Sequence, residues 1–183
     1  MKKLKAVLAS AGLSAALGFA GSAAAQSSLA SWYVGGTLGQ SDFKDGCQGL
    51  GSCDKKDTAW GILGGYQFNR NFAAEFGYRD LGKASAPGGE TKGNAWELTG
   101  IGALPLVDRF SVYGKLGVYR GELKAPAAKE TNSDFTYGAG LQYDFTKAVG
   151  VRGEWQRYNK MGGGALAKTD VDVLSVGVIY HFQ

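Results

Sequence analysis

The sequence predicts an all-β protein: an eight-stranded antiparallel up-and-down transmembrane β-barrel. Three observations predict this fold. Eight segments alternate between apolar and polar residues, one face of every segment is apolar and often aromatic, and the connections between segments are long and short in turn. We predict short periplasmic turns and long outer loops, because this asymmetry is typical of bacterial outer-membrane barrels.

The N-terminus predicts export. The cationic start MKKLK precedes a stretch of apolar and small residues, and Ala23-Ala24-Ala25 offers a cleavage pattern. We therefore assign residues 1–25 to a secretory signal peptide and residues 26–183 to one outer-membrane β-barrel domain. Without the three lysines of that peptide, the 20 basic residues fall to 17 against 16 acidic ones. This balance gives no argument for nucleic-acid binding.

The eight predicted strands follow one another without helical periodicity between them. They lie at residues 32–40, 58–68, 72–80, 94–104, 110–119, 135–145, 149–157 and 171–182. Long connections at 41–57, 81–93, 120–134 and 158–170 alternate with short ones at 69–71, 105–109 and 146–148. No run after the signal peptide approaches the roughly 18 apolar residues of a spanning helix, so any membrane crossing is made by strands.

Each strand in turn places large apolar residues on one face. In chain order they are Trp32, Val34 and Leu38; Trp60, Ile62, Tyr66 and Phe68; Phe72, Phe76 and Tyr78; Trp96, Leu98 and Leu104; Phe110, Val112, Leu116 and Val118; Phe135, Tyr137, Leu141, Tyr143 and Phe145; Val149, Val151 and Trp155; Leu174, Val176, Val178, Tyr180 and Phe182. So many rings would overfill the interior of a barrel of this size, whereas lipid sets no such limit. We therefore predict that this face contacts lipid. The alternative is a soluble, lipocalin-like ligand-binding barrel with the apolar face inward.

The opposite face carries the charges. They are Glu75, Arg79, Glu97, Lys115, Arg152 and Glu154, three acids and three bases among Gly, Ser, Thr and Gln. We predict that they fill the lumen, and eight strands leave no room for a wide channel. The predicted function is therefore a structural and surface-interaction role in the outer membrane. The alternative is a narrow, low-conductance pore.

The chain has two cysteines, Cys47 and Cys53, in a polar connection. An exported protein meets an oxidising compartment, so a disulfide between them is expected. A metal site formed with Asp42, Asp45 or Asp54 is disfavoured, because no histidine is near and the spacing fits no common zinc pattern. No cofactor is expected.

An enzymatic role would need a nucleophile and a base within reach of each other. The single histidine, His181, is predicted on the inner face, as are Ser111 and Ser175. Nothing in their spacing brings them together, so we predict no catalytic residues and no enzyme.

Four stretches of the sequence resemble the OmpA-like family of eight-stranded outer-membrane barrels. The likeness covers essentially all of the mature chain, and the second stretch is the most specific. The stretches are WYVGGTLGQS at 32–41, GGYQFNRNFAAEFGYRDLG at 64–82, GLQYDFTKAVGVRGEWQ at 140–156 and VLSVGVIYHF at 173–182.

The resemblance implies an interior that contains cross-lumen ion pairs. By position, Glu75 and Arg152 match the interior acid and base of that family. Ile101 and Gln142 stand where charged partners of the same cluster often occur. We therefore expect one static Glu75–Arg152 pair rather than a switchable gate of competing salt bridges.

The resemblance also implies how the chain reaches its membrane. The final strand, with Val176, Val178, Tyr180 and Phe182, matches the C-terminal signal read by the barrel-insertion machinery. Periplasmic chaperones, outer-membrane lipid and a monomeric state are expected with it. Because the sequence ends at Gln183, the peptidoglycan-binding domain of many relatives is not expected.

Overall fold

The computed structural model describes residues 30–44, 56–86, 89–125, 128–163 and 166–182. These residues form eight β-strands, in keeping with the alternating sequence pattern. The strands are β1 (Ser31–Phe43), β2 (Lys56–Gln67), β3 (Phe72–Ala86), β4 (Gly89–Val107), β5 (Phe110–Ala125), β6 (Ala128–Asp144), β7 (Val149–Gly163) and β8 (Leu166–His181).

The eight strands close into a barrel in chain order. Every neighbouring pair is antiparallel, and β1 pairs with both β2 and β8. Gly36 on β1 thus faces Ile62 on β2 and Val178 on β8. Closure leaves no sheet edge unpaired, which a membrane-spanning sheet requires. The predicted fold class is confirmed.

The periplasmic end carries the short connections, at 68–71, 108–109 and 145–148. In the first of them the Asn69 side-chain oxygen accepts hydrogen bonds from the backbone N–H groups of Asn71 and Phe72, at 2.8 and 2.9 Å. An asparagine side chain that binds the backbone two and three residues ahead stabilises a tight turn.

The outer end differs from the sequence expectation in where the strands stop. Most of the predicted connections 81–93, 120–134 and 158–170 consists of paired strand, with cross-strand partners as far out as Ala125 and Ala128. The lipid-facing alternation ends earlier, because strands beyond the membrane need no apolar outer face. The disulfide predicted between Cys47 and Cys53 lies outside the described residues.

Two of these outer extensions contain irregularities. The register shifts between Asp80 and Lys83 on β3, and again after Tyr158 on β7. Gly82 has a φ of 71°, a conformation that glycine adopts at no steric cost, and its N–H donates to the Asp80 carboxylate at 2.8 Å. Bulges of this kind bend a strand where pairing changes.

The outer face of the barrel is apolar along all eight strands, as predicted. Leu116 is 65% exposed and Val176 is 70% exposed, although both are aliphatic. Aromatic residues flank this band: Trp32, Phe68 and Phe145 toward the periplasmic turns, and Trp60, Trp96 and Phe135 toward the outer end. Within the described ranges, no helix has the length and apolar character that crossing a membrane demands.

Candidate functional site in the barrel lumen

The six predicted lumen charges meet inside the barrel. All six side chains are buried, at 6% exposure or less. Residues an even number of positions apart on a strand share a face, so Glu75 and Arg79 on β3 point inward together, as do Arg152 and Glu154 on β7. Glu97 on β4 and Lys115 on β5 complete the set.

Lys115 lies at the centre of this cluster. Its Nζ is 3.3 Å from a carboxylate oxygen of each of Glu75, Glu97 and Glu154. The ammonium group has three N–H donors and here faces three carboxylates, so one cation joins acids from three strands. Three acids and three bases balance, which makes the burial of so many charges tolerable.

Each arginine binds a different carboxylate. Arg152 contacts Glu75 at 2.5 Å, and Arg79 contacts Glu154 at 3.0 Å. The expectation of one isolated Glu75–Arg152 pair therefore needs correction. That pair is part of a six-residue network, because the curvature of the barrel turns the inner face of β5 toward that of β3 and brings Lys115 to Glu75.

Three tyrosines hydrogen-bond the carboxylates, and the sequence analysis missed all three. Tyr33 donates to Glu75 at 2.8 Å, Tyr113 donates to Glu154 at 2.8 Å, and Tyr158 donates to Glu97 at 2.5 Å. Their position opposite the lipid face in the alternation was the signal that could have identified them. The buried phenols fill part of the lumen. They also donate hydrogen bonds to carboxylate oxygens that water does not reach.

The two uncharged positions noted in the sequence have different roles. The Gln142 side-chain oxygen accepts hydrogen bonds from Arg152, at 3.0 Å from Nη2 and 3.3 Å from Nε. It therefore extends the network without adding charge. Ile101 is buried and contributes apolar volume instead.

Apolar layers lie on both sides of the charged network. The upper layer, inside the outer strand extensions, is the larger one. It consists of Phe43, Ala59, Leu81, Ala95, Tyr119, Leu123, Tyr158, Met161, Val171 and Val173, none more than 3% exposed. The lower layer, toward the periplasm, consists of Tyr33, Leu63 and Ile179, with Ala73 packed against them.

The described lumen shows no serine–histidine arrangement. The ring of His181 packs against the ring of Tyr33, with centroids 5.2 Å apart. Ser175 lies six residues away along β8 and accepts a hydrogen bond from Arg79 at 3.3 Å. Ser111 faces Gln142 on β6. Across the part of the chain that the structure describes, no three His, Cys, Asp or Glu side chains are arranged to hold a metal ion.

A second ionic cluster lies at the outer rim, beyond the lipid-facing band. Arg157 donates two hydrogen bonds to the Asp172 carboxylate, at 2.6 and 2.8 Å, and Lys44 approaches the same carboxylate at 3.2 Å. Arg157 first, and Lys44 to a lesser extent, hold the pKa of Asp172 below its ordinary value of 3.8. These charges tie β1, β7 and β8 together where the barrel leaves the membrane.

Comparison with known families gives a match across the barrel. The model of the OmpA-like transmembrane domain family matches residues 27–183. Outer membrane protein A of Salmonella typhi is 32% identical over 182 residues, which cover 90% of this chain and 52% of that protein. The chain spans about half the length of the curated relatives it matches.

Solved structures with the same fold are more distant in sequence. Neisserial surface protein A has a TM-score of 0.63 at 16% identity, covering 82% of this chain and 97% of that one. The N-terminal β-barrel domain of Pseudomonas aeruginosa OprF has a TM-score of 0.54 at 15% identity, covering 82% of this chain and 97% of its own. Both similarities concern the fold.

Proposed function

We propose that this chain, which belongs to the OmpA-like transmembrane domain family, is a closed barrel with a structural and surface-interacting role in the cell envelope. Family and relatives make it an integral β-barrel protein of the cell outer membrane, in contact with lipid. The soluble, lipocalin-like alternative is thereby set aside.

One observation supports a closed barrel above all others: the charged network is covered by the upper apolar layer. Leu81, Tyr158, Met161 and Val171 in that layer are 0% exposed. An ion that passed them would lose its water without gaining polar partners, at a cost of many kcal/mol. The balanced network below adds rigidity, because each charge is held by partners on other strands.

The second candidate function is a narrow pore, and the polar middle of the lumen is the observation that favours it. Six charged side chains there could guide ions if the apolar layers opened. Single-channel recording in a planar bilayer separates the two functions, provided that insertion is verified independently by heat-modifiable gel migration. We expect wild-type protein to give no discrete conductance steps.

Two variants make the recording more decisive. The double variant Leu81→Ala/Met161→Ala removes side-chain volume from the upper layer. It should produce conductance steps, because it opens a water-sized path to the charged network. Thr131→Ala, on the exposed outside of β6, is the matched control and should stay silent. Steps in wild-type protein that change with Glu75→Ala or Arg152→Ala would establish the pore and overturn the closed barrel.

The surface role rests on the outer strand extensions and their connections. Binding groups concentrate in such segments, which a rigid scaffold holds in place. Deleting the tip of one hairpin at a time should weaken attachment of cells to a surface while the barrel remains folded. Unchanged attachment after all four deletions would remove the surface role.

We assign no enzymatic activity to the barrel. In support, Ser175 accepts a hydrogen bond from Arg79, and His181 packs against Tyr33. Loss of a lipid-modifying activity in His181→Ala protein would contradict this assignment.

We also propose a route of biogenesis. Residues 1–25 are cleaved, and periplasmic chaperones deliver the chain to the outer membrane. The chain is inserted there as a monomer through recognition of Val176, Val178, Tyr180 and Phe182. We also propose a Cys47–Cys53 disulfide. Mass spectrometry of protein taken from outer membranes, with and without reductant, checks the mature N-terminus and the disulfide together.

A further inference from the structure

The barrel wall is closed where it crosses the membrane, but above the membrane one side of β6 has no strand beside it. β6 pairs with β5 as far out as Ala128 opposite Ala125. Its pairing with β7 ends lower, at Thr136 opposite Tyr158. Within the described residues, positions 129–135 of β6 therefore form a sheet edge, which we call the β6 edge. We infer that the β6 edge binds an extended polypeptide segment of a partner protein as an added strand.

The β6 edge is bare because β7 turns inward. The backbone of β7 leaves the strand conformation at Lys160, whose φ is 51°, and at Gly162, whose φ is 95°. Met161 between them is fully buried in the upper apolar layer. β7 then passes on the inner side of β6, where the Asn132 side chain donates a hydrogen bond to the Lys160 carbonyl oxygen at 2.6 Å. The outer side of β6 stays open to solvent.

The backbone groups of the β6 edge point to this open side at every second residue. The Asp144 N–H donates to the Arg109 carbonyl oxygen at 2.8 Å, and the β5–β6 register that follows has no shift. Alternate residues of an antiparallel strand bond to the same neighbour, so the even-numbered residues of β6 bond to β5. The odd-numbered residues Lys129, Thr131 and Ser133 direct their N–H and C=O groups to the open side, and all three are exposed.

The wall also splits between β2 and β3, but there a side chain bridges the split. The pairing of these strands ends below their tips, and the Lys83 N–H donates to the Asp57 carboxylate at 2.7 Å instead. In the described contacts of the β6 edge, a side chain of another strand reaches the backbone only at Phe135, whose carbonyl oxygen accepts from Asn159 at 3.3 Å. The β6 edge is thus the more open of the two.

The spacing and the height of these backbone groups select a polypeptide as the occupant. They recur every second residue, about 6.6 Å apart, and an extended chain repeats its donors and acceptors at the same interval. An unpaired edge is therefore a template for a further strand. The edge lies directly above Phe135, an aromatic residue of the outer girdle, which places it in water rather than in lipid.

The side chains of the β6 edge indicate the charge of the bound segment. Glu130 and Asp134 share one face of the edge, and its single basic residue, Lys129, lies on the other face. Opposite charges in facing positions stabilise paired strands, and like charges destabilise them. We therefore expect a segment with basic residues at alternate positions.

The inference rests on the proposed surface role and deepens it, because it names the class of partner. The two can fail separately. A peptide that does not bind would remove the β6 edge as a docking site, whereas the surface role fails only if attachment is unchanged after the hairpin deletions.

The test measures binding of a fluorescent heptapeptide of alternating threonine and lysine to protein extracted from outer membranes and held in detergent micelles. The decisive variant is Thr131→Pro, because proline removes one outward-pointing N–H and breaks no bond to β5. Thr131→Ala keeps that N–H and is the matched control. Heat-modifiable gel migration verifies that each variant is folded.

Amide hydrogen exchange, followed by NMR, reports how the peptide binds. An added strand should slow exchange at the N–H groups of Lys129, Thr131 and Ser133, which attraction between charges alone would not do. The N–H groups of Glu130 and Asn132 bond to β5, so their protection in Thr131→Pro protein shows that the strand pairing persists.

We expect Thr131→Ala to bind the heptapeptide as wild type does, and Thr131→Pro to bind it at least about tenfold more weakly. Equal binding by folded Thr131→Pro protein would overturn the inference, as would binding without slower exchange at the outward-pointing amides. Absence of binding would also overturn it, including the case in which a sulfated polysaccharide binds and the peptide does not.

Discussion

At the scale of single residues, Lys115 organises the lumen. It is the one cation in the described network that contacts all three carboxylates, and it is 3% exposed. Without Lys115, Glu97 would lose its salt bridge in a low dielectric, while Glu75 and Glu154 would each keep an arginine.

Replacing Lys115 with Met should therefore destabilise the barrel by about 3–5 kcal/mol, the usual cost of breaking a buried ion pair. Urea unfolding in lipid vesicles, followed by tryptophan fluorescence, measures the change. Lys147→Met, in an exposed periplasmic turn, is the control and should change stability little. Adding Glu97→Gln to Lys115→Met should recover part of the loss, since it restores the balance of two acids and two bases. No recovery would argue against charge balance as the cause.

A second residue-scale prediction concerns pH at the outer rim. Arg157 lowers the pKa of Asp172, so the folded state favours the ionised carboxylate. The resulting stability is present above the unfolded pKa, near 3.8, and is lost as pH falls through the lower folded pKa. NMR titration of the Asp172 carboxyl carbon should give a midpoint below 3.8, and Arg157→Gln should raise it. A midpoint that does not respond to Arg157→Gln would contradict the pairing.

At the scale of elements, the packing of aromatic rings over glycines links the strands to the lumen network. Tyr33 on β1 lies directly opposite Gly65 on β2, and a Cβ at Gly65 would approach the Tyr33 ring to 2.2 Å. The neighbouring Gly64 points to the lipid side, where an added Cβ meets nothing within 4 Å. Two adjacent glycines of one strand thus serve different purposes.

Gly65→Ala should destabilise the barrel by about 1–3 kcal/mol through overpacking. It should also move the Tyr33 hydroxyl away from Glu75. Gly64→Ala is the control, and we expect it to change the unfolding free energy by less than about 0.5 kcal/mol. In a Tyr33→Ala background, Gly65→Ala should cost little, so a double-mutant cycle isolates the contact. Additive effects would show that Tyr33 is not the obstacle.

At the scale of the whole molecule, the distribution of apolar and charged side chains is the reverse of that in a soluble protein. The outer band of the barrel is aliphatic and aromatic, while six charged side chains are buried in the part of its interior that the structure describes. This arrangement is stable because lipid replaces water outside and ion pairs replace water inside.

A charge on the lipid face should therefore destabilise the barrel more, the deeper it lies in the bilayer. Leu116→Arg, near the middle of the band, should lower the free energy of unfolding in vesicles by about 2–4 kcal/mol. Thr131→Arg, on the outer extension of β6, should cost less than about 1 kcal/mol. Equilibrium unfolding in vesicles compares the two. Equal costs would place Leu116 outside the lipid.

The sequence was sufficient to predict much of the molecule. Alternation with period two is a local property, so the strand number, the lipid face and the inward position of Glu75, Arg79 and Lys115 could all be predicted. The outer strand ends could not be predicted as well. Beyond the membrane the outer face becomes polar, and the apolar residues that remain, such as Leu81 and Met161, face inward and break the expected pattern.

The order of residues along the chain was enough to predict the barrel and the side of the wall on which each residue lies. Which residues contact one another became known from the folded barrel. Lys115 on β5 contacts Glu75 on β3 and Glu154 on β7, and Lys83, Lys92, Lys124 and Lys129 stand in register on four neighbouring strands. Both outcomes depend on strand register and barrel closure, which bring together residues distant in the chain. A repeat of two residues specifies a face and carries no information about such long-range distances.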